Sequence, residues 1–128
     1  MYIADAHALA WYFTDDPRLG REAAEVFERS ARGECLIIIP AIVLAELFHI
    51  SRKKRIILDF AELLRRVEEN SNLSVTSLDL SVIRKLPATL PLAELHDQII
   101  VATALFYEGK VLTRNGAIQA SALVETVW

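Results

Sequence analysis

The stretch that decides the fold is Met1-Tyr2-Ile3-Ala4-Asp5-Ala6-His7-Ala8-Leu9. It begins as a short apolar strand that ends in a carboxylate, and an apolar helical segment follows at once over residues 6–13. Such strands are typical of buried parallel sheets, and ligands of open α/β sheets bind just beyond the carboxyl ends of the strands. Asp5 is therefore either a site residue or the N-cap of the helix, because Asp is also a favoured capping residue.

The rest of the chain alternates between strand and helix patterns. We expect helices at residues 19–32, 41–54, 56–70, 81–86 and 93–107, an irregular connector at 87–91, and strands at 36–39, 73–77, 110–113 and 124–128. The strand at 73–77 has the alternation of a sheet edge. The repeated β-α order predicts an α/β fold with a parallel sheet and right-handed crossovers.

Length, composition and charge limit the possible classes of protein. The 128 residues fit one domain over residues 1–128, and 53% hydrophobic residues exclude a disordered chain. The net charge of −3 means that nucleic-acid binding would need a local basic patch or metal ions. The single cysteine, Cys35, suits a reducing cytoplasm. We predict neither a secretory signal nor a membrane span, because the longest apolar run, residues 36–50, is too short and is interrupted by Pro40 and Glu46.

Acidic residues interrupt two helices that are otherwise apolar on nearly every side. Glu46 lies in the first of them, at residues 41–54, and an unpaired buried carboxylate there needs a metal, a cation or a proton. A salt bridge at a helix contact is the alternative. Glu94 and Asp97 share one face of the first turn of the second helix, at residues 93–107. If Asp5, Glu46 and Asp97 meet, their repulsion favours a divalent cation, and oxygen ligands suit Mg²⁺ or Mn²⁺.

Basic residues and histidines give weaker signals. The cluster of Arg52, Lys53, Lys54 and Arg55 closes a helix, where it either interacts with the helix dipole or binds phosphate. His7, His49, His96 and Cys35 lack the paired spacing of a zinc site, so structural roles are favoured for them. His49 and His96 each lie near a key acid, which leaves a supporting role in the site open.

Four segments in this order resemble the PIN-domain ribonucleases, and among them the VapC-type toxins of toxin–antitoxin pairs. They are residues 2–11, residues 45–47, residues 96–105 and residues 111–115. Residues 15–20 and the terminal Trp128 are also similar to that group. The resemblance implies a three-layer α/β/α fold with a central, mostly parallel sheet.

The resemblance also implies a function and a set of site residues. It implies metal-dependent hydrolysis of RNA phosphodiester bonds, with Asp5, Glu46 and Asp97 as ligands of Mg²⁺ or Mn²⁺ and Glu94 as an accessory acid. Thr113 would form hydrogen bonds within the site, and Arg114 or the cluster at residues 52–55 would hold the RNA backbone. The implied partners are RNA, a cognate antitoxin protein and a second copy of the chain.

Asn115 departs from the family pattern, which usually has Asp at this position. Asn supplies an oxygen without the charge, so the site should hold cations less tightly. Three origins stay open: a natural residue, an inactivating substitution, or an Asp precursor, because Asn-Gly pairs deamidate. The departure keeps a non-catalytic or weakened PIN-like binding module as an alternative. A receiver-like phosphoacceptor domain is a more distant alternative, because it would need paired acids after the first strand.

Overall fold

A five-stranded sheet forms the centre of the structure, a computed structural model that describes residues 1–53 and 56–128. Its strands are β1 (Tyr2–Ala4), β2 (Ile37–Pro40), β3 (Leu73–Thr76), β4 (Lys110–Leu112) and β5 (Thr126–Val127). The helices of the described residues are α1 (Ala6–Phe13), α2 (Arg21–Ala31), α3 (Ala41–Arg52), α4 (Phe60–Glu69), α5 (Leu80–Ile83), α6 (Leu95–Tyr107) and α7 (Gly116–Ser121), with a 3₁₀ turn at Leu86–Thr89.

The strand order is β3-β2-β1-β4-β5, and all four pairings are parallel. Ile3 pairs with Ile38 of β2 on one side and with Val111 of β4 on the other. The chain builds the sheet outward from β1 to β3, then returns past β1 to add β4. The carboxyl end of β1 is therefore the switch point of this sheet, which is where open α/β sheets bind ligands.

Helices cover the sheet, which gives the three-layer α/β/α architecture that the resemblance implies and the parallel sheet that the β-α order predicts. The prediction of an edge position for β3 is confirmed. The buried core contains the strand residues Ile3, Ile37, Ile39 and Leu112, together with a continuous buried run in α6, residues 99–104. This burial explains why the second apolar helix of the sequence has so little polar surface.

Two predictions about individual elements are wrong. The helix at residues 41–54 is not buried on every side: in α3 only Val43 and Leu47 are fully buried, while Phe48 and His49 are exposed. The connector at residues 87–91 is not wholly irregular, because residues 86–89 form a 3₁₀ turn with Pro87 in its first turn, where a missing N–H costs nothing. Within residues 1–53 and 56–128, every helix is too short or too polar to cross a bilayer.

Candidate functional site

Asp5 lies at the carboxyl end of β1 and begins α1. Its Oδ1 accepts a hydrogen bond from the backbone N–H of Ala8 at 2.8 Å, so Asp5 is the N-cap of this helix. The side chain is nevertheless buried, and this burial raises the pKa of the carboxyl group. Hydrogen bonds from Thr113 and from the Ala8 backbone, and the charges of His7 and Arg114, act in the opposite direction. Capping and site membership are therefore compatible at this position.

Glu46 enters the same region from α3. Its side chain is 24% exposed, but Oε1 is fully buried and has no hydrogen-bond partner among the described residues. Burial raises the pKa of Glu46, His96 lowers it, and the charges of Glu94, Asp5 and Asp97 raise it further. His96 Nδ1 lies 3.9 Å from Glu46 Oε1 and 3.1 Å from Glu94 Oε1. A buried carboxylate oxygen without a partner is the kind of group that a cation or a proton stabilises.

The N-terminus of α6 brings Glu94 and Asp97 to the other side of the site. Glu94 is the N-cap, and its Oε2 accepts a hydrogen bond from the Asp97 N–H at 3.1 Å. Burial raises the pKa of Asp97, and the negative charges of Glu94 and Asp5 add to that effect. The Asn115 amide acts in the opposite direction, because its Nδ2 donates a hydrogen bond to Asp97 Oδ1 at 3.2 Å.

Asn115 also caps α7. Its Oδ1 accepts hydrogen bonds from the N–H groups of Ala117 at 2.9 Å and Ile118 at 3.1 Å, which fixes the orientation of the amide. Thr113 is fully buried, and its Oγ1 accepts from the Asn115 N–H at 3.0 Å. The segment after β4 therefore acts on two acids: the Thr113 hydroxyl lowers the pKa of Asp5, and Asn115 donates a hydrogen bond to Asp97.

These acids fit a divalent cation by their chemistry. Asp5, Glu46, Asp97 and Glu94 supply only oxygen, and each of the first three has its pKa raised by the charge of another acid or by burial. In the described part of the chain, no three His, Cys, Asp or Glu side chains already stand together as a ready ligand set. For all three acids to hold one cation, their side chains would therefore have to come closer together.

An aromatic group that sequence reasoning missed lies beside Asp5. The guanidinium of Arg114 lies 4.5 Å from the ring centroid of Trp11, and that of Arg18 lies 4.7 Å from the same ring. Arg18 is also bonded to Asp16, whereas Arg114 has no ion pair among the described residues. Trp128 packs edge-on against Trp11, with ring centroids 5.7 Å apart. In the sequence, the only indication of this aromatic group is that tryptophans occur near both ends of the chain, at Trp11 and Trp128.

The described part of the basic cluster, Arg52 and Lys53, is not brought into contact with the acids. Arg52 is exposed at the C-terminal end of α3, where it contacts the Phe48 ring, and Lys53 is the exposed C-cap. Arg52 lies about 9 Å along the helix axis from Glu46, at 1.5 Å per residue. Lys54 and Arg55, which complete the predicted cluster, lie outside the described residues.

A family model for the PIN domain matches residues 2–122. The chain belongs to the PIN domain family. This membership excludes the alternative of a receiver-like phosphoacceptor domain. Because PIN domains are generally nucleases, it supports a nuclease as the kind of enzyme. A comparison with curated proteins finds no match.

Solved structures with the same fold include three toxin–antitoxin assemblies. The PIN chain aligns with VapBC2 from Rickettsia felis, bound to a DNA fragment from their promoter, at TM-score 0.69 and 15% identity, covering 98% of this chain and 96% of that one. A toxin-antitoxin complex from Klebsiella pneumoniae aligns at TM-score 0.68 and 19% identity, covering 100% of this chain and 97% of that one. FitAcB from Neisseria gonorrhoeae aligns at TM-score 0.65 and 17% identity, covering 100% of this chain and 97% of that one. At these identities the likeness shows the fold.

Proposed function

We propose that this PIN domain is a metal-dependent ribonuclease of the VapC toxin type. One observation carries the proposal: Asp5, Glu46 and Asp97 come from three separate elements, and Glu46 and Asp97 have their pKa values raised by burial and by the charges of the other acids. Such an arrangement costs stability in a metal-free chain, so we infer that binding a cation offsets the cost. It occurs in a chain that belongs to a family of nucleases.

In this proposal Asp5, Glu46 and Asp97 hold Mg²⁺ or Mn²⁺, and Glu94 is the accessory acid. Once bound, the cation supplies Lewis-acid stabilisation of the phosphate charge and lowers the pKa of water. Thr113 keeps the Asp5 carboxylate oriented, and the Asn115 amide does the same for Asp97. Both residues therefore act through the ligands.

Arg114 is the basic residue that we assign to the phosphodiester. Its guanidinium acts on the Asp5 charge, stacks on Trp11 and has no carboxylate partner among the described residues. An arginine held in this way can donate two hydrogen bonds to a phosphate. Arg52, Lys53, Lys54 and Arg55 would hold more distant parts of the RNA backbone.

We further propose an antitoxin, a homodimer and a cytoplasmic location. The neighbouring structures are toxin–antitoxin assemblies, which supports an antitoxin partner for this chain. Exposed apolar side chains are concentrated in and around α5, the 3₁₀ turn and α6, at Leu78, Leu80, Ile83, Leu90, Leu95 and Phe106. This set, which we call the α5–α6 surface, supports self-association, because exposed apolar patches mark interaction sites.

The test is cleavage of a labelled single-stranded RNA in Mn²⁺ or Mg²⁺, with three proteins purified in parallel. We expect the chain with Asn115 to cleave, Asn115→Asp to cleave faster because one further negative charge strengthens cation binding, and Asp5→Ala to be inactive. EDTA should stop both active forms. Absence of cleavage by both the natural chain and Asn115→Asp would contradict the enzyme proposal.

A second candidate function, a non-catalytic RNA-binding or protein-binding module, is favoured by one specific observation. The Asn115 oxygen already accepts hydrogen bonds from two N–H groups of α7, so it is poorly placed to coordinate a cation as well. Filter binding separates the two candidates: this module would retain RNA equally in EDTA and in Mn²⁺, without cleaving it in either.

A further inference from the structure

A pocket of about 420 Å³ lies between α3 and the start of α6, next to the acids. It is lined by Ile42, Ala45, Glu46, His49, Ile50 and His96. Its volume falls within the roughly 300–1,000 Å³ of small-ligand pockets. Only Glu46 belongs to the acids proposed as ligands, so the rest of the lining has no role in the proposed chemistry.

The lining has two chemically different parts. Ile42, Ala45 and Ile50 supply an aliphatic surface, and His49 and His96 supply two flat aromatic rings. Unpaired bases of RNA bind in this kind of environment, because they stack on aromatic side chains and form hydrogen bonds along their edges. An imidazole provides both a ring face and a donor or acceptor nitrogen.

The position of the pocket also favours a base. Glu46 lines the pocket and is also one of the acids of the proposed site, so the pocket adjoins the place proposed to hold the phosphodiester. His96 lies between Glu46 and Glu94. A nucleotide whose phosphate lies at the acids would therefore have its own base next to this pocket.

We propose that this pocket binds an unpaired nucleobase next to the cleaved phosphodiester and thereby selects the cleavage sequence. The inference rests on the proposed ribonuclease function. The aliphatic wall contacts one face of the base, and His49 stacks on it or contacts its edge. His49 is exposed, so replacing it removes a binding contact without opening the core.

Binding can be measured without metal or catalysis. The full chain in EDTA is titrated with the four ribonucleosides, which carry no phosphate for the acids to repel, while the imidazole C–H resonances of His49 and His96 are followed by NMR. We expect at least one nucleoside to shift both resonances, and His49→Ala to weaken its binding about tenfold, the size of one lost stacking contact. Phe48→Ala is the matched control, because Phe48 is the next residue on α3, is exposed and does not line the pocket.

The result that overturns the proposal is equally direct. If no nucleoside shifts either imidazole, or if His49→Ala and Phe48→Ala bind equally well, the pocket does not take a base. The His7 resonances report whether nucleosides bind at Asp5 instead, because His7 lies near that carboxylate.

A second measurement links the pocket to sequence choice. Cleavage of an RNA pool with randomised sequence should show a base preference that His49→Ala relaxes and His49→Phe, which retains a stacking ring, partly restores. An unchanged preference in His49→Ala would contradict the inference while leaving the ribonuclease proposal intact. Conversely, nucleoside binding to a chain that cleaves no RNA would support the pocket and contradict the ribonuclease.

Discussion

Asp5 combines two roles that usually belong to different residues. It caps α1 with a 2.8 Å hydrogen bond, and it holds a buried carboxylate at the switch point of the sheet. Capping contributes stability, typically about 1 kcal/mol, whereas burial of the charge opposes it. The two effects can be separated because Asn also caps helices and carries no charge.

We predict that Asp5→Asn and Asp5→Ala differ in stability although both lack the site charge. In EDTA at neutral pH, Asp5→Asn should be at least as stable as the natural chain, and Asp5→Ala should be about 1 kcal/mol less stable than Asp5→Asn. Urea denaturation measures both differences. Equal stability of the two variants would show that the cap contributes nothing.

The pH dependence of the metal-free chain follows from the same burial. The pKa of Asp5 is higher in the folded chain than in the unfolded one, so the folded state binds its proton more tightly. The free energy of unfolding should then fall as pH rises from about 4 through the folded pKa, and this part of the fall should be absent in Asp5→Asn. Urea titrations in EDTA across pH 4–7 test the slope, and parallel curves for the two proteins would contradict it.

Gly20 is a second residue whose type has a physical reason, because it packs directly against Trp128. A Cβ at this position would collide with the backbone of Trp128 and lie 2.6 Å from its Cδ1. We predict that Gly20→Ala lowers the free energy of unfolding by roughly 1–3 kcal/mol, the usual range for overpacking. The matched control is Gly116→Ala, where nothing among the described residues lies within 4 Å. That variant should be neutral or more stable, and similar losses in both variants would remove the packing explanation.

At the scale of elements, the N-terminus of α6 sets the charge of the site. Glu94 caps this helix and raises the pKa values of both Asp97 and Glu46 through its charge. We predict that Glu94→Gln lowers both pKa values in the metal-free chain, as followed by carboxyl ¹³C NMR. Unchanged titration of both carboxyls would show that Glu94 is not electrostatically coupled to the site.

The predictable parts of the fold are those with a strong local signal. The apolar strands ending at Ala4 and Pro40, and the long apolar helix at residues 95–107, follow from runs that only a buried parallel sheet and its crossovers accommodate. The end of α6 shows the limit of such signals. Its left-handed residue is Glu108, with φ 54°, although Gly109 follows directly and would adopt that conformation with less strain.

What the sequence leaves open depends on neighbours that are distant along the chain. The exposure of His49 and Phe48 is decided by which face of α3 meets the sheet, and an apolar helix carries little pattern to indicate that face. The Trp11–Arg114 stack joins residues from the two ends of the chain. The Asn115 oxygen is taken up by the α7 backbone and its Nδ2 faces Asp97, so this side chain is not the free oxygen ligand that its residue type implies.

At the scale of the whole molecule, the net charge of −3 means that binding of an anion depends on where the basic side chains lie. Arg114 lies over Trp11 and its charge acts on Asp5, so the anionic ligand of the proposed function would meet positive charge close to that carboxylate. The prediction that residues 1–128 form a single domain implies one cooperative unfolding transition by calorimetry.

We predict that the α5–α6 surface mediates a homodimer. Leu90 and Leu80 are 78% and 62% exposed, and a charge at either position should shift sedimentation equilibrium toward monomer without lowering stability. Ile57→Glu, at a still more exposed position beyond α3, is the control and should leave the dimer intact. A natural chain that is monomeric at all concentrations would contradict the homodimer.

The central claim is that Asp5, Glu46 and Asp97 bind one kind of ligand, a divalent cation. The most direct measurement is isothermal titration of the metal-free chain with Mn²⁺, compared with Asp5→Asn at the same pH. We predict saturable binding to the natural chain and a loss of more than about 100-fold in the variant, since even changes beside the ligands cost 10–100-fold. No binding to the natural chain, or equal affinity in the two folded proteins, would contradict the account.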